Sequence, residues 1–245
     1  MKPTRATVVV NVASLAVLVW LYAGDLLDYR QAKLAPLSAM TSLPRAGYAA
    51  GALVLAAAAA GVAVHGLVRG APEGFRGYRL LPIVLVVVLF VDLFILTSAQ
   101  GPVMPPAEQV NAAMGALADA ARARARHSSV LDPHLLEQLV PAMGAPPYLA
   151  HGQRVDHYVL SLRTDCAHAV DEASGAAAGT VFFCAAPGGR VGWLTVVGLP
   201  AGALFGEPQV FSVGGRVRAW EVQVPPADEG DAPPEPTLAE QDGGR

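Results

Sequence analysis

The chain has 245 residues, of which 53% are hydrophobic and only 15% charged, with a formal net charge of −3 at pH 7. Soluble domains average about 25% charged residues, so this composition excludes an ordinary water-soluble protein, and its apolar content excludes disorder along the whole chain. The charge is divided, net +4 over residues 1–98 and net −7 over residues 99–245. No Lys/Arg face is large enough to neutralise a run of phosphates, which excludes a nucleic-acid partner.

Three apolar stretches come first. A helix needs about 20 mostly apolar residues to cross about 30 Å of hydrocarbon. Residues 6–24 and 46–68 are uncharged and of suitable length, and residues 80–100 carry Asp92 as their single charge. The first and third are rich in Leu, Val and Phe. The second is mostly Ala and Gly, and its Gly47 and Gly51 form a small-xxx-small pair expected to pack against the other two spans. The first run exceeds the about 7–15 residues of a signal-peptide core, and the DLLDYRQ that follows offers no small-residue cleavage site. It reads as a retained anchor.

Orientation follows from the basic residues. Lys2 and Arg5 precede the first span, and Arg69, Arg76 and Arg79 face Glu73 alone in the loop between the second and third. Three spans put both patches on one side, which the positive-inside rule makes cytoplasmic. The loop 25–45, despite Arg30, Lys33 and Arg45, and everything after Gln100 then lie outside. Both cysteines, Cys166 and Cys184, fall in that outer part, and an even count in an oxidising compartment reads as one disulfide, constraining the unfolded chain by about 3 kcal/mol. The bias to Arg over Lys and the excess of Ala point to a GC-rich bacterial genome. The expected location is therefore the bacterial inner membrane, with the carboxyl domain in the periplasm.

After the third span, Pro102, Pro105 and Pro106 form a hinge. A helix follows, with Glu108 in its first turn, an apolar stripe of Val110, Met114, Leu117 and Ala121, and Arg122, Arg124 and Arg126 near its end. A second helix starts at Asp132-Pro133, carries Leu135, Leu136, Leu139 and Val140, and is limited by Pro141. From Val155 the period changes to two: Tyr158, Leu160 and Leu162 alternate with His157, Val159 and Ser161. Residues 179–186 and 190–199 flank Pro187-Gly188-Gly189, and residues 210–213 and 216–224 flank Gly214-Gly215, both hairpin signals. Trp220, Val222 and Val224 face one way from the last strand, Glu221 and Gln223 the other. Short connections imply a mostly antiparallel sheet. The expected fold class is three transmembrane helices (residues 1–101) followed by a soluble α+β domain of about five strands (102–225). The acidic, Pro/Gly-rich tail 226–245 is too poor in apolar residues to order itself.

Asp92 is the sharpest candidate, because an ionisable group inside a span is costly and faces the protein interior. With each run's midpoint taken as the bilayer centre, Asp92 lies about 3 Å to the outer side, and Asn11 and His65 about 6 and 12 Å to the inner side. Ser14, about 4–5 Å away along the axis, is the best partner in the chain. Asp92 is then neutral and bonded to a hydroxyl, paired with another polypeptide, or a proton relay. His151, His157 and His168 lie near Asp156, Asp165 and Cys166 without compact ligand spacing, so no metal site is expected. No nucleophile elbow, P-loop or dinucleotide-binding glycine pattern occurs, so no catalytic residue, cofactor or small-molecule ligand is expected. The sequence points to a non-catalytic accessory, assembly or scaffolding subunit of an inner-membrane complex. Its expected partners are other integral membrane subunits and the lipid bilayer. The alternatives are a proton-coupled subunit using Asp92, or a periplasmic membrane-anchored enzyme of unrecognised class.

Overall fold

The structure, a computed structural model, describes residues 4–69, 75–98, 104–125 and 133–224. Glu73, the third span beyond Ser98, Pro102, Arg126, Asp132 and the tail 226–245 lie outside the described residues.

Helix α1 (Arg5–Leu34) begins at Thr4, whose side chain accepts the Thr7 N–H. It does not stop at Asp25. Residues 25–34 contain no Gly or Pro and are mostly good helix formers, so α1 continues about 15 Å beyond its apolar run. It ends at Ala35 (ψ 141°), because Pro36 disfavours helical backbone in the residue before it. Strand β1 (Leu37–Ser38) follows, then α2 (Ala46–Arg69), a 3-10 turn (Gly77–Arg79) and α3 (Leu80–Ser98). All three helices are long and apolar enough to cross a membrane.

The bundle seam is narrow. α1 turns one stripe inward, Ser14, Leu18 and Tyr22, at a spacing of four. α2 meets it with alanines, Ala49, Ala52, Ala56, Ala59 and Ala63, which let the backbones approach closely. α3 contributes Leu81 and Val88. Val9, Trp20, Val54, Phe90 and Phe94 remain exposed, a surface suited to hydrocarbon rather than water. The expected packing role of Gly47 and Gly51 is not seen: a Cβ on either would meet nothing within 4 Å. Both lie off the buried stripe, and alanines do the close packing instead.

In the carboxyl domain, α4 (Pro106–Ala125) and α5 (Pro133–Leu139), the latter extended by a 3-10 turn (Val140–Met143), precede the strands. These are β2 (Leu149–Ala150), β3 (Gln153–Arg154), β4 (Val159–Arg163), β5 (Thr180–Ala185), β6 (Val191–Gly198), β7 (Phe205–Gly206), β8 (Gln209–Val210), β9 (Ser212–Val213), β10 (Arg216–Val217) and β11 (Trp220–Gln223). The main sheet has the order β11-β6-β5-β4, with β8 on the far part of β6. Its inner face, Val181, Phe183, Leu194, Val196, Trp220 and Val222, packs on Val110, Met114, Leu117 and Ala121 of α4 and on Leu136 and Val140. The expected stripe of α4 and the inward Trp220 and Val222 are thus where periodicity put them.

The main sheet is mostly antiparallel, as expected, with one parallel pairing. β4 and β5 pair in parallel, Leu160 opposite Val181 and Leu162 opposite Phe183. A parallel pair needs a crossover of about a dozen residues, and the chain between Arg163 and Thr180 is that long, unlike the short connections from which a mostly antiparallel sheet is expected. Cys166 and Cys184 form a disulfide, Cα–Cα 5.8 Å. It ties the start of this crossover to the β5 face that Phe182 shares, away from α4. The Gly214-Gly215 turn is as expected: Val213 pairs with Arg216, and φ of 58° and 78° at the two glycines makes a two-residue primed turn.

A second sheet, β3-β2-β1-β7, is built around β1. Ser38 lies opposite Leu149 on one side and Phe205 on the other, and Leu37 is fully buried in the carboxyl core with Ala39 beside it. Residues 37–39 therefore belong structurally to the carboxyl domain, although sequence reading drew the boundary at residue 101. Their short apolar run, Leu-Ser-Ala, is indistinguishable from a loop until its neighbours are known.

Leu37→Ala should lower the stability of the carboxyl domain by about 2–4 kcal/mol, read by chemical denaturation in detergent. Tyr148, buried against Gly198 where any Cβ would strike its ring, supplies a second expectation. Burial pushes its hydroxyl from the ordinary 10.0 up to about 12, against an opposing backbone hydrogen bond with Leu199; burial raises Tyr158 too. A raised folded-state value keeps its stabilisation in full below about pH 10 and loses it as pH rises through about 12. Domain stability should hold between pH 7 and 9 and fall above pH 10, and Tyr148→Phe should flatten that alkaline limb.

Candidate functional site

The polar groups of the bundle gather at two levels. At the end that carries the carboxyl domain, the Tyr22 hydroxyl donates to Asp92 Oδ2 at 2.6 Å, joining α1 to α3. The Tyr48 hydroxyl donates to the Val88 carbonyl at 2.9 Å, joining α2 to α3. The two rings meet edge to face, centroids 5.8 Å apart. Asp25 lies one turn beyond Tyr22 on α1. The cluster thus places one carboxyl group, held by a phenol, where all three helices converge.

The residue that reaches Asp92 is Tyr22, not Ser14. Ser14 is buried on the same stripe, two turns deeper. α1 has 30 residues and is about 45 Å long, and Tyr22 rather than the midpoint of its uncharged run is level with Asp92. Extending the Ser14, Leu18 stripe by one more turn would have found Tyr22. Tyr48 carried no sequence signal beyond its position at the start of the second span.

At the other end, Asn11 Nδ2 donates to the Thr7 carbonyl at 2.8 Å and to the Tyr78 carbonyl at 2.9 Å. The second bond has a local cause. Pro82 has no N–H, so the helical donor that would serve Tyr78 is missing, and in an apolar surrounding an orphaned carbonyl is costly. Asn11 supplies the missing donor from a neighbouring helix. Its Oδ1 is buried and without a hydrogen-bond partner among the described residues. A cavity of about 130 Å³ adjoins it, bordered by Thr7, Val12, Leu15, Ala60 and Leu81. His65 is exposed one turn before the end of α2 and joins neither cluster.

Between the two levels the inward positions are Ser14, Leu18, Ala52, Ala56 and Ala59. No ionisable group among them links Asp92 to the far end. In the carboxyl domain, His151, His157 and His168 are all exposed, His168 Nδ1 lies 2.9 Å from the Ala169 carbonyl oxygen, and among the described residues no group of three or more His, Cys, Asp or Glu could hold a metal. No protein-family model, curated protein or solved structure matches the chain, so its chemistry has to be read from this geometry.

The Asn11 assignment can be checked by a double-mutant cycle. Asn11→Leu should lower the thermal stability of the detergent-solubilised bundle in the parent chain. In a Pro82→Ala background, where the helix supplies its own N–H to Tyr78, the same change should cost less, by about 1 kcal/mol.

Proposed function

We propose that the chain is a non-catalytic accessory or scaffolding subunit of a bacterial inner-membrane complex, holding an interaction domain in the periplasm. The observation that carries this reading is β1. The first interhelical loop is a central strand of the carboxyl domain's second sheet, so bundle and domain form one piece and the domain is presented in a fixed attitude to the lipid surface. A tethered enzyme has no need of that fixity; a subunit that must meet neighbours both within and above the bilayer does.

The polar groups of the bundle support the same reading. Tyr22, Tyr48 and Asn11 each bond across to α3 or to the turn that opens it, which is how helices are held together in hydrocarbon. Most of each helix remains uncovered, leaving lateral surface for other integral membrane subunits. The same Tyr22–Asp92 bond is what a proton-coupled subunit would start from, and this is the second reading.

Purification of the tagged chain in a gentle detergent should bring down integral membrane proteins in fixed ratio, and Asp92→Asn should change the yield of that assembly by less than about twofold. Recovery of the chain alone would refute the scaffold. Intact assembly with loss of a proton-driven activity in Asp92→Asn would favour the second reading.

A further inference from the structure

The main sheet has two ends, and they differ. At β11 the Arg122 guanidinium closes the edge: its Nε and Nη2 donate to the Glu221 carbonyl at 3.0 and 2.6 Å. At β4 nothing does so among the described residues. The Val159 N–H donates to the Gly179 carbonyl at 3.1 Å, so Val159, Ser161 and Arg163 turn their main-chain groups toward β5. By alternation Leu160 and Leu162 present theirs to the open side. β4 has no lysine, proline or bulge, the usual guards of an edge. Its one cation, Arg163, is drawn back over the Phe182 ring of its own sheet, 5.8 Å from the centroid. Val159 and Leu162 are 50% and 40% exposed.

An open edge of this kind accepts only extended backbone, and the sequence of β4 matches itself. In an antiparallel pairing centred on Ser161, Leu160 faces Leu162 of the other strand and Val159 faces Arg163, and the ladder ends before Asp165, where φ is 59°. No like charges meet. Leu160 and Leu162 are the residues with outward main-chain groups, so the two Leu160–Leu162 pairs would exchange roughly four N–H···O bonds. The exposed Leu162 would be covered by Leu160 of the other strand, and Val159 by the aliphatic stem of Arg163.

We propose that the free edge of β4 is a self-association seam, on which a second copy of the chain adds its own β4 about a two-fold axis at Ser161. The joined sheet runs continuously through both copies. This does not depend on the accessory-subunit reading, since a dimer would serve an enzyme or a proton-coupled subunit equally.

Ser161 would be a non-hydrogen-bonded pair across the axis, with Cα atoms about 4.5 Å apart, within disulfide reach. The described cysteines are both engaged in the native disulfide, so Ser161→Cys introduces the single free thiol. Mild oxidation of the full-length variant in native membranes should convert most of it to a reducible species of about twice 25.3 kDa. Asp171→Cys, on the exposed crossover, should stay monomeric. Adding Leu162→Pro, which removes one outward N–H while leaving the β5 side intact, should cut the Ser161→Cys cross-link at least about tenfold. Native mass spectrometry of the unsubstituted protein should give two protomers. A monomeric mass, a Ser161→Cys chain that stays single or cross-links only to a different protein, or a cross-link indifferent to Leu162→Pro would each overturn the seam.

Discussion

Three helices apolar enough to cross a membrane offer few hydrogen-bond partners, and the polar side chains among them bond to one another or to main-chain carbonyls. Polar side chains inside the three-helix unit bond across it, with Asn11 Oδ1 an exception. Asn11 serves the Tyr78 carbonyl that Pro82 leaves without a helical donor, Tyr48 serves a second carbonyl at Val88, and Tyr22 serves Asp92. These bonds tie α1 and α2 to α3 at one end and α1 to the turn that opens α3 at the other, while the middle is held by alanines that let the backbones come close. An apolar exterior would supply no attraction between helices in lipid, and the helices meet through a few polar contacts and along the alanine face.

The carboxyl domain obeys a different rule. It buries a continuous apolar face of β5, β6 and β11 under α4 and α5, in the manner of a water-soluble α+β fold. What links the two regimes is α1, which runs past its apolar stretch and delivers Leu37 into the domain core. The joint is therefore a buried leucine and a shared strand on one side. The hydrophobic effect, acting on Leu37, holds the end of α1 to the domain.

Much of this was legible in the sequence wherever a period repeats. The three apolar runs, the Val110–Met114–Leu117–Ala121 stripe, the alternation at Trp220–Val222 and the paired cysteines were all read from spacing or count. The misses share a physical cause: each depends on a neighbour remote in sequence. β1 is two residues long and becomes a strand only beside Leu149 and Phe205. The parallel β4–β5 pairing is decided by which face the crossover covers, which spacing does not encode. Ser14 was matched to Asp92 by axial arithmetic that assumed each apolar run is centred in the bilayer, and α1 breaks that assumption. Gly47 and Gly51 were chosen by residue type, whereas the helix face decides which small residues are in contact.

The position of β1 also has a consequence for biosynthesis. Leu37 and Ser38 leave the ribosome long before Leu149 and Phe205, the residues that flank them. Until that later part of the chain has been made, β1 lacks the neighbours that pair its main chain and cover its leucine. Folding of the domain is thereby coupled to an early loop: its second sheet is complete only when residues from distant parts of the chain have met.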